Sequence, residues 1–353
     1  MKTNRIYQGK ASEVLNRLPN KSIHMCITSP PYYNLRDYEE DGQLGLEKTP
    51  DLYIDHLCDI FDNVKQVLRD DGSCWINIGD SYDNKSLVGI PFKLAEKMKN
   101  RGWILRNTII WHKPSAMPSS VTDRFTVDFE YIFFFTKQKK YYYEQQFTPN
   151  KNDPKDINRQ YVQGKTDTEY ATSKKHSGGV GYDERGRNKR TTWSINPKPF
   201  NAAHFAVYPR KLIRTPIKAG CPKEVCSKCG NPKHHVVVKE KKENRVNTRE
   251  DSNVRPDNLE RPPSDWKPRK IIKDYWEPTC ECDKNFTGGI VLDPFMGAGT
   301  TALEALGQNK RFIGIELNQK YIDMSYERLV DHGYYQFNEL LPKDKQKKEK
   351  GLF

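Results

Sequence analysis

Apolar positions along this chain gather in short runs whose length suits buried strands. Ile23-His24-Met25-Cys26-Ile27 is one, Gly289-Ile290-Val291-Leu292 a second and Arg311-Phe312-Ile313-Gly314-Ile315 a third. Runs of this kind, apolar without strict alternation, predict strands covered on both faces, as in a parallel sheet. Between the second and third, residues 300–308 are rich in Ala and Leu and predict a helix. Strand, glycine turn, helix and strand in succession are the unit of a doubly wound α/β fold, which is expected here. Other stretches carry no such period. Residues 137–200 combine charge with a Ser177-Gly178-Gly179 stretch, 240–269 are charged and contain prolines, and 343–350 form a basic tail. These predict, in turn, a loop-rich region, an exposed arm and a solvated, disordered end.

The segments that follow the strands carry the candidate chemistry. Asp293-Pro294-Phe295-Met296-Gly297-Ala298-Gly299-Thr300 lies where an α/β sheet places a ligand loop. Gly297 and Gly299 let the backbone approach a ligand, although such a turn can also serve only to pack a helix on a strand. Asp293 at the strand end repels phosphate and suits a cationic ligand, and Glu316, after the third run, can accept the hydroxyl protons of a ribose. S-adenosylmethionine, with its ammonium, sulfonium and ribose, fits both acidic positions. Thr28-Ser29-Pro30-Pro31-Tyr32 follows the first run. Two prolines fix the chain and leave no N–H there, so the carbonyls before and between them can face outward with the Ser29 hydroxyl. Such acceptors orient an exocyclic amine, and Tyr32 offers a face on which a planar base stacks.

With these two segments in this order, the chain resembles the β class of DNA amino-methyltransferases, in which the catalytic motif precedes the cofactor motif. The resemblance covers most of residues 1–221 and 284–332. Residues 51–68 are similar to the family's helix after the catalytic loop, and 72–80 to the next strand. Residues 106–114 and 128–137 resemble its closing hairpin, and 204–213 its return segment. It implies a doubly wound, mostly parallel α/β sheet of the S-adenosylmethionine-dependent methyltransferase type, circularly permuted, with inserted target-recognition and cysteine-rich modules. The expected organisation is a catalytic half (1–137), a target-recognition region (138–200), a return segment (201–221), a cysteine-rich insertion (222–283), a cofactor half (284–335) and the basic tail (336–353). Ser29, Pro30, Pro31 and Tyr32 are then catalytic. Asp293, Phe295, Gly297, Gly299, Thr300 and Glu316, with Phe205 of the return segment, hold the cofactor. Members with Ser ahead of Pro-Pro mostly methylate cytosine at N4 and those with Asp or Asn mostly adenine at N6, so Ser29 favours N4-methylcytosine, with N6-adenine as the alternative. No cysteine lies in the loop to attack a ring carbon.

Charge adds a substrate class. The net charge is +13 with 59 Lys and Arg, and a surplus of seven positive charges falls within residues 137–200 alone. Concentrated basic charge attracts nucleic-acid phosphates, and Arg185, Arg187, Lys189 and Arg190 are the expected DNA contacts. A solvated surface insertion is the plainer reading of such a run. Double-stranded DNA is the expected partner, with a cognate restriction nuclease as a possible companion. Of eight cysteines, Cys226 and Cys229 form a Cys-x-x-Cys knuckle and Cys280 and Cys282 a Cys-x-Cys pair. Four thiolates can close a structural zinc site, and the alternative is reduced free thiols. No apolar run reaches membrane-spanning length and no signal-peptide pattern opens the chain, so a cytoplasmic, nucleoid-associated protein without membrane partners is expected. Two other classes stay open: a methyltransferase of RNA or protein, and a non-catalytic DNA-binding specificity protein.

Overall fold

The computed structural model describes residues 2–38, 40–149, 185–197, 207–239 and 271–347. The chain divides into two units, one of Met1–Glu144, Arg190–Lys233 and Pro278–Phe353, the other of Gln145–Lys189 and His234–Glu277. The first holds an eight-stranded sheet: β1 (Arg5–Gln8), β2 (Ile23–Thr28), β3 (Leu68–Ile78), β4 (Ile104–His112), β5 (Phe129–Thr136), β6 (Thr192–Ser194), β7 (Ile290–Asp293) and β8 (Arg311–Glu316). Their spatial order is β1-β8-β7-β2-β3-β5-β4-β6. Only β5 runs antiparallel to its neighbours.

Side chains alternate between two apolar layers. Phe133 and Phe135 of β5 point into one layer with Ile76 and Leu292, while Ile132 and Phe134 point into the other with Trp75 and Val291. The first layer is closed by α1 (Ala11–Leu15), α2 (Pro50–Val67) and α3 (Ile90–Asn100). The second is closed by α4 (Arg210–Gly220), α5 (Thr300–Gly307) and α6 (Gln319–Asp331). Helix α2 starts where Pro50 occupies its first turn and the Thr49 hydroxyl accepts the Leu52 N–H. Its buried Tyr53, Ile54, Leu57, Phe61 and Val64 recur at helical spacing and face the sheet.

From β2 the chain proceeds to β3 on one side, and from β7 to β8 on the other. The loops after β2 and β7 therefore diverge, leaving the crevice in which open α/β sheets bind ligands. The mostly parallel α/β fold is as expected, and β2, which leads into Ser29-Pro30-Pro31-Tyr32, precedes β7, which leads into the Gly297-Ala298-Gly299 turn, in sequence. Two stretches are more ordered than their composition predicts. Thr192–Ser194, from the basic region, adds a parallel edge strand to β4. In the tail, Lys345 and Lys347 pair with Glu327 and Asp331 of α6, so the described part of the tail is docked by charge. The second unit contains the antiparallel pair Phe147–Thr148 with Arg187–Asn188 and nearly all of the two-stranded sheet of Lys233–Lys239 with Ile271–Pro278.

Candidate active site

Asp293 ends β7 and is only 1% exposed. Its carboxylate accepts hydrogen bonds from Thr28 Oγ1 (2.6 Å), Phe295 N (3.1 Å), Thr301 Oγ1 (2.5 Å) and the Tyr208 hydroxyl (3.0 Å). Thr28 ends β2, so one carboxylate bolts together the ends of the two strands that flank the crevice. Burial pushes the Asp293 carboxyl up, and these four donors hold it back. The residue expected to face a ligand thus spends its lone pairs on the protein, fixing the start of the glycine loop. Within that loop Gly297 and Gly299 have φ of +52° and +74°, and a Cβ at Gly299 would lie 2.8 Å from Ser325 Cβ. Thr300 is buried and its hydroxyl accepts from Arg328 (2.8 Å), which ties the start of α5 to α6. Phe295 packs half-buried against the first apolar layer.

Glu316, at the end of β8, accepts the N–H groups of Gly297 (2.7 Å), Leu317 (2.9 Å) and Asn318 (3.0 Å). A carboxylate has about four acceptor positions, and among the described residues three of them are filled. Burial raises its pKa against the pull of these amides. Phe205 lies outside the described residues; Tyr208, from the same expected segment, reaches Asp293 instead.

Across the crevice, Ser29, Pro30, Pro31 and Tyr32 leave the end of β2. The Pro31 carbonyl is held by the Tyr53 hydroxyl at 2.7 Å. Among the described residues no protein donor meets the Ser29 or Pro30 carbonyl. Tyr32 is clamped by its hydroxyl, which donates to Glu130 Oε2 (2.6 Å) and accepts from Asn77 Nδ2 (2.9 Å), with Ser29 Oγ at 3.4 Å. Asn77 also donates to Glu130 (2.7 Å), and Lys113 pairs with the same carboxylate. A Cβ at Gly79 would stand 2.9 Å from Tyr32 Cε2, so only glycine lets the ring lie there. Burial, with the Glu130 charge second, pushes the Tyr32 phenol well above its ordinary range, so the hydroxyl stays protonated. Lys113, Glu130 and Asn77 were not singled out from sequence. Their signal is a polar residue inside or beside a run that should be wholly apolar.

The sequence signature of the DNA methylase family, the N6/N4 amino-methyltransferases, matches residues 23–226 and 236–327, spanning both loops. The chain belongs to this family. It is 32% identical over 353 residues to the Type II methyltransferase M.Cfr9I of Citrobacter freundii, covering 92% of this chain and 87% of that protein. With M.SmaI of Serratia marcescens it shares 30% over 356 residues, 92% of this chain and 90% of that one. The PvuII DNA methyltransferase (cytosine-N4-specific) has a similar fold: TM-score 0.56, 17% identity, 96% of this chain and 92% of that one.

For this DNA methylase the remaining candidates separate into two groups. The Sγ atoms of Cys226, Cys229, Cys280 and Cys282 all lie within 4.8 Å of one another. Backbone N–H groups, that of Cys229 first, draw the Cys226 thiol down to about 7, while the Cys229 thiol beside it helps push Cys282 up to about 12. The knuckle is docked on the starts of β2 and β3: His24 Nε2 meets the Gly230 carbonyl (3.0 Å), and Arg69 donates to the Cys229 carbonyl (3.2 Å) and Asn231 Oδ1 (2.8 Å). Both loops of the crevice lie at the other end of these strands. Of the expected DNA contacts, Arg187 and Arg190 are exposed. Arg185 is half-buried with its guanidinium 4.3 Å from the Phe147 ring centroid, and the Lys189 N–H donates to the Gln146 carbonyl. Among the described residues no helix is long and apolar enough to cross a membrane.

Proposed function

We propose that this DNA methylase transfers a methyl group from S-adenosylmethionine to the N4 amine of a cytosine flipped out of duplex DNA. The observation that carries the reading is the pairing of Ser29-Pro30-Pro31-Tyr32 with the Asp293 loop across one crevice through the Thr28–Asp293 bond. The Asp293 loop, Phe295 and the free position on Glu316 suit the amino-acid and ribose parts of the cofactor. The cofactor supplies an electrophilic methyl group. Its S–C bond would break as the N–C bond forms, one amine proton would be released, and everything else is done by positioning. The amine lone pair of cytosine is delocalised into the ring; Ser29 Oγ and the Pro30 carbonyl accept its N–H groups and turn the lone pair out of that plane. Tyr32, held by Glu130 and Asn77, stacks on the base. A base inside the helix is out of reach, which requires flipping.

Ser29 favours cytosine over adenine, and the cytosine-N4 specificity of the PvuII methyltransferase, which shares the fold, agrees with it. Arg187 and Arg190 contact DNA phosphates, and a restriction nuclease accompanies the enzyme, as the Type II naming of its relatives suggests. The four cysteines hold a structural zinc. Tetrahedral Zn–S bonds of about 2.3 Å place sulfurs about 3.8 Å apart, compatible with this cluster. The test is transfer of tritium from labelled S-adenosylmethionine to unmethylated duplex DNA by the wild type and Tyr32→Ala. The wild type labels DNA, and the variant binds cofactor but does not turn over. Full activity in Tyr32→Ala overturns the site assignment.

A further inference from the structure

Among the described residues, the two large apolar side chains most open to solvent stand on one loop. Residues 113–128 join β4 to β5; Phe125 is 96% exposed and Met117 is 87% exposed. The loop is braced. The Lys113 N–H closes its base on the Asp128 carbonyl at 2.7 Å, and the Ala116 N–H turns back to the Lys113 carbonyl at 3.0 Å. Next to Phe125, Asp123 pairs with Lys85 (2.9 Å) and the Arg124 guanidinium lies 3.8 Å from the Tyr82 ring centroid. Tyr82 and Lys85 belong to the short hairpin of Tyr82–Asp83 with Ser86–Leu87, which follows the end of β3 nearest the crevice.

The loop is rooted on the catalytic residues. Lys113 at its start pairs with Glu130 just past its end, and Glu130 accepts the Tyr32 hydroxyl. A phenyl ring kept in water on a braced loop beside a site has an apolar surface to bury once that site is filled. Extruding one base from a duplex creates such a surface, because it leaves a gap between two flat, newly uncovered base faces. Apolar side chains inserted at base steps offset the lost stacking. The Lys85 charge is spent on Asp123, but Arg124 sets a guanidinium beside Phe125 that no carboxylate meets among the described residues, which suits a phosphate bordering that gap and not an apolar protein partner.

We propose that Phe125 is the wedge that enters the duplex and fills the place of the flipped-out target base, with Met117 covering an adjoining base face. The proposal rests on the reading of this protein as a duplex-DNA methyltransferase that flips its target. Phe125 makes almost no contact with the rest of the protein, so Phe125→Ala leaves the fold intact.

The experiment compares two duplexes carrying the recognised sequence, one fully paired and one with an abasic site opposite the target base. Where no partner base holds the target, a wedge has little left to do. Phe125→Ala is expected to lose about tenfold or more in kcat/KM on the paired duplex and to stay within about threefold of wild type on the abasic one. Phe125→Trp, which keeps a flat ring, restores methylation of the paired duplex. Equal losses on both duplexes, or none on either, overturn the wedge while leaving the methyltransferase reading in place. A dimer of the wild type that Phe125→Ala abolishes, seen by sedimentation with DNA absent, assigns the patch to a second copy and also overturns it. A wild-type protein that methylates neither duplex overturns the function reading, and the wedge with it.

Discussion

Removing the Asp293 carboxylate should cost fold stability as well as cofactor binding, and the geometry sets the amount. The side chain is 1% exposed and accepts four hydrogen bonds from Thr28, Phe295, Thr301 and Tyr208. In Asp293→Ala the Tyr208 and Thr301 hydroxyls, already in contact, keep each other as partners. The Thr28 hydroxyl and the Phe295 N–H are left without an acceptor. A buried donor left unsatisfied costs about 1–3 kcal/mol, so the variant should lose about 2–6 kcal/mol. That is a large share of a typical total of about 5–15 kcal/mol. Asp293→Asn keeps an oxygen for Thr28 and Phe295 and sheds the cost of burying a charge, so it should unfold within about 1 kcal/mol of wild type. Urea unfolding followed by tryptophan fluorescence measures both, and calorimetric titration with S-adenosylmethionine shows whether the folded Asn variant binds more weakly. Wild-type stability in Asp293→Ala would refute the reasoning that this carboxylate joins the two strand ends.

Three further outcomes follow from the same contacts. Tyr32→Phe keeps the stacking face and loses the 2.6 Å bond to Glu130, so single-turnover rates should fall about tenfold with cofactor affinity unchanged; a rate as low as that of Tyr32→Ala would deny the ring its stacking role. Burial lowers the His24 pKa from 6.5 to about 4 against the pull of the Gly230 carbonyl, and the residue is 4% exposed. The unfolded chain therefore takes up a proton near pH 6.5 that the folded chain refuses until about pH 4. The stability involved, about 3 kcal/mol, is complete above pH 6.5 and lost as pH falls towards 4. Urea midpoints across that window should fall more steeply for wild type than for His24→Gln, and parallel slopes would remove His24 from the account. Purified protein should carry about one zinc per chain by elemental analysis, and Cys226→Ser should lose it together with thermal stability. Metal-free wild type of full stability would leave the cysteines as thiols.

The sheet was legible because its strands are unbroken apolar runs, and β2, β7 and β8 end at or within one residue of where their patterns stop. The edge strands β1 and β6 were not, since Arg5–Gln8 buries only Ile6 and Thr192–Ser194 only Trp193, too little to leave a period. Both loops at the strand ends were singled out from local motifs. The partners that hold them in place were not, because each pairing joins distant positions: Thr28 with Asp293, Tyr208 with Thr301, Tyr32 with Glu130. Asp293 shows the consequence. A strand-end carboxylate beside a glycine turn suggests direct ligand contact, and only the tertiary structure reveals three hydroxyls converging on it. The tail misled for a similar reason, since a basic composition does not reveal the acidic positions on α6 that capture Lys345 and Lys347.

The most direct test of the central claim is mass spectrometry of the nucleosides released from unmethylated duplex DNA after incubation with the protein and S-adenosylmethionine. The account predicts N4-methyldeoxycytidine. N6-methyldeoxyadenosine in its place would contradict the role given to Ser29, and unmodified DNA from a protein that binds the cofactor would contradict the substrate.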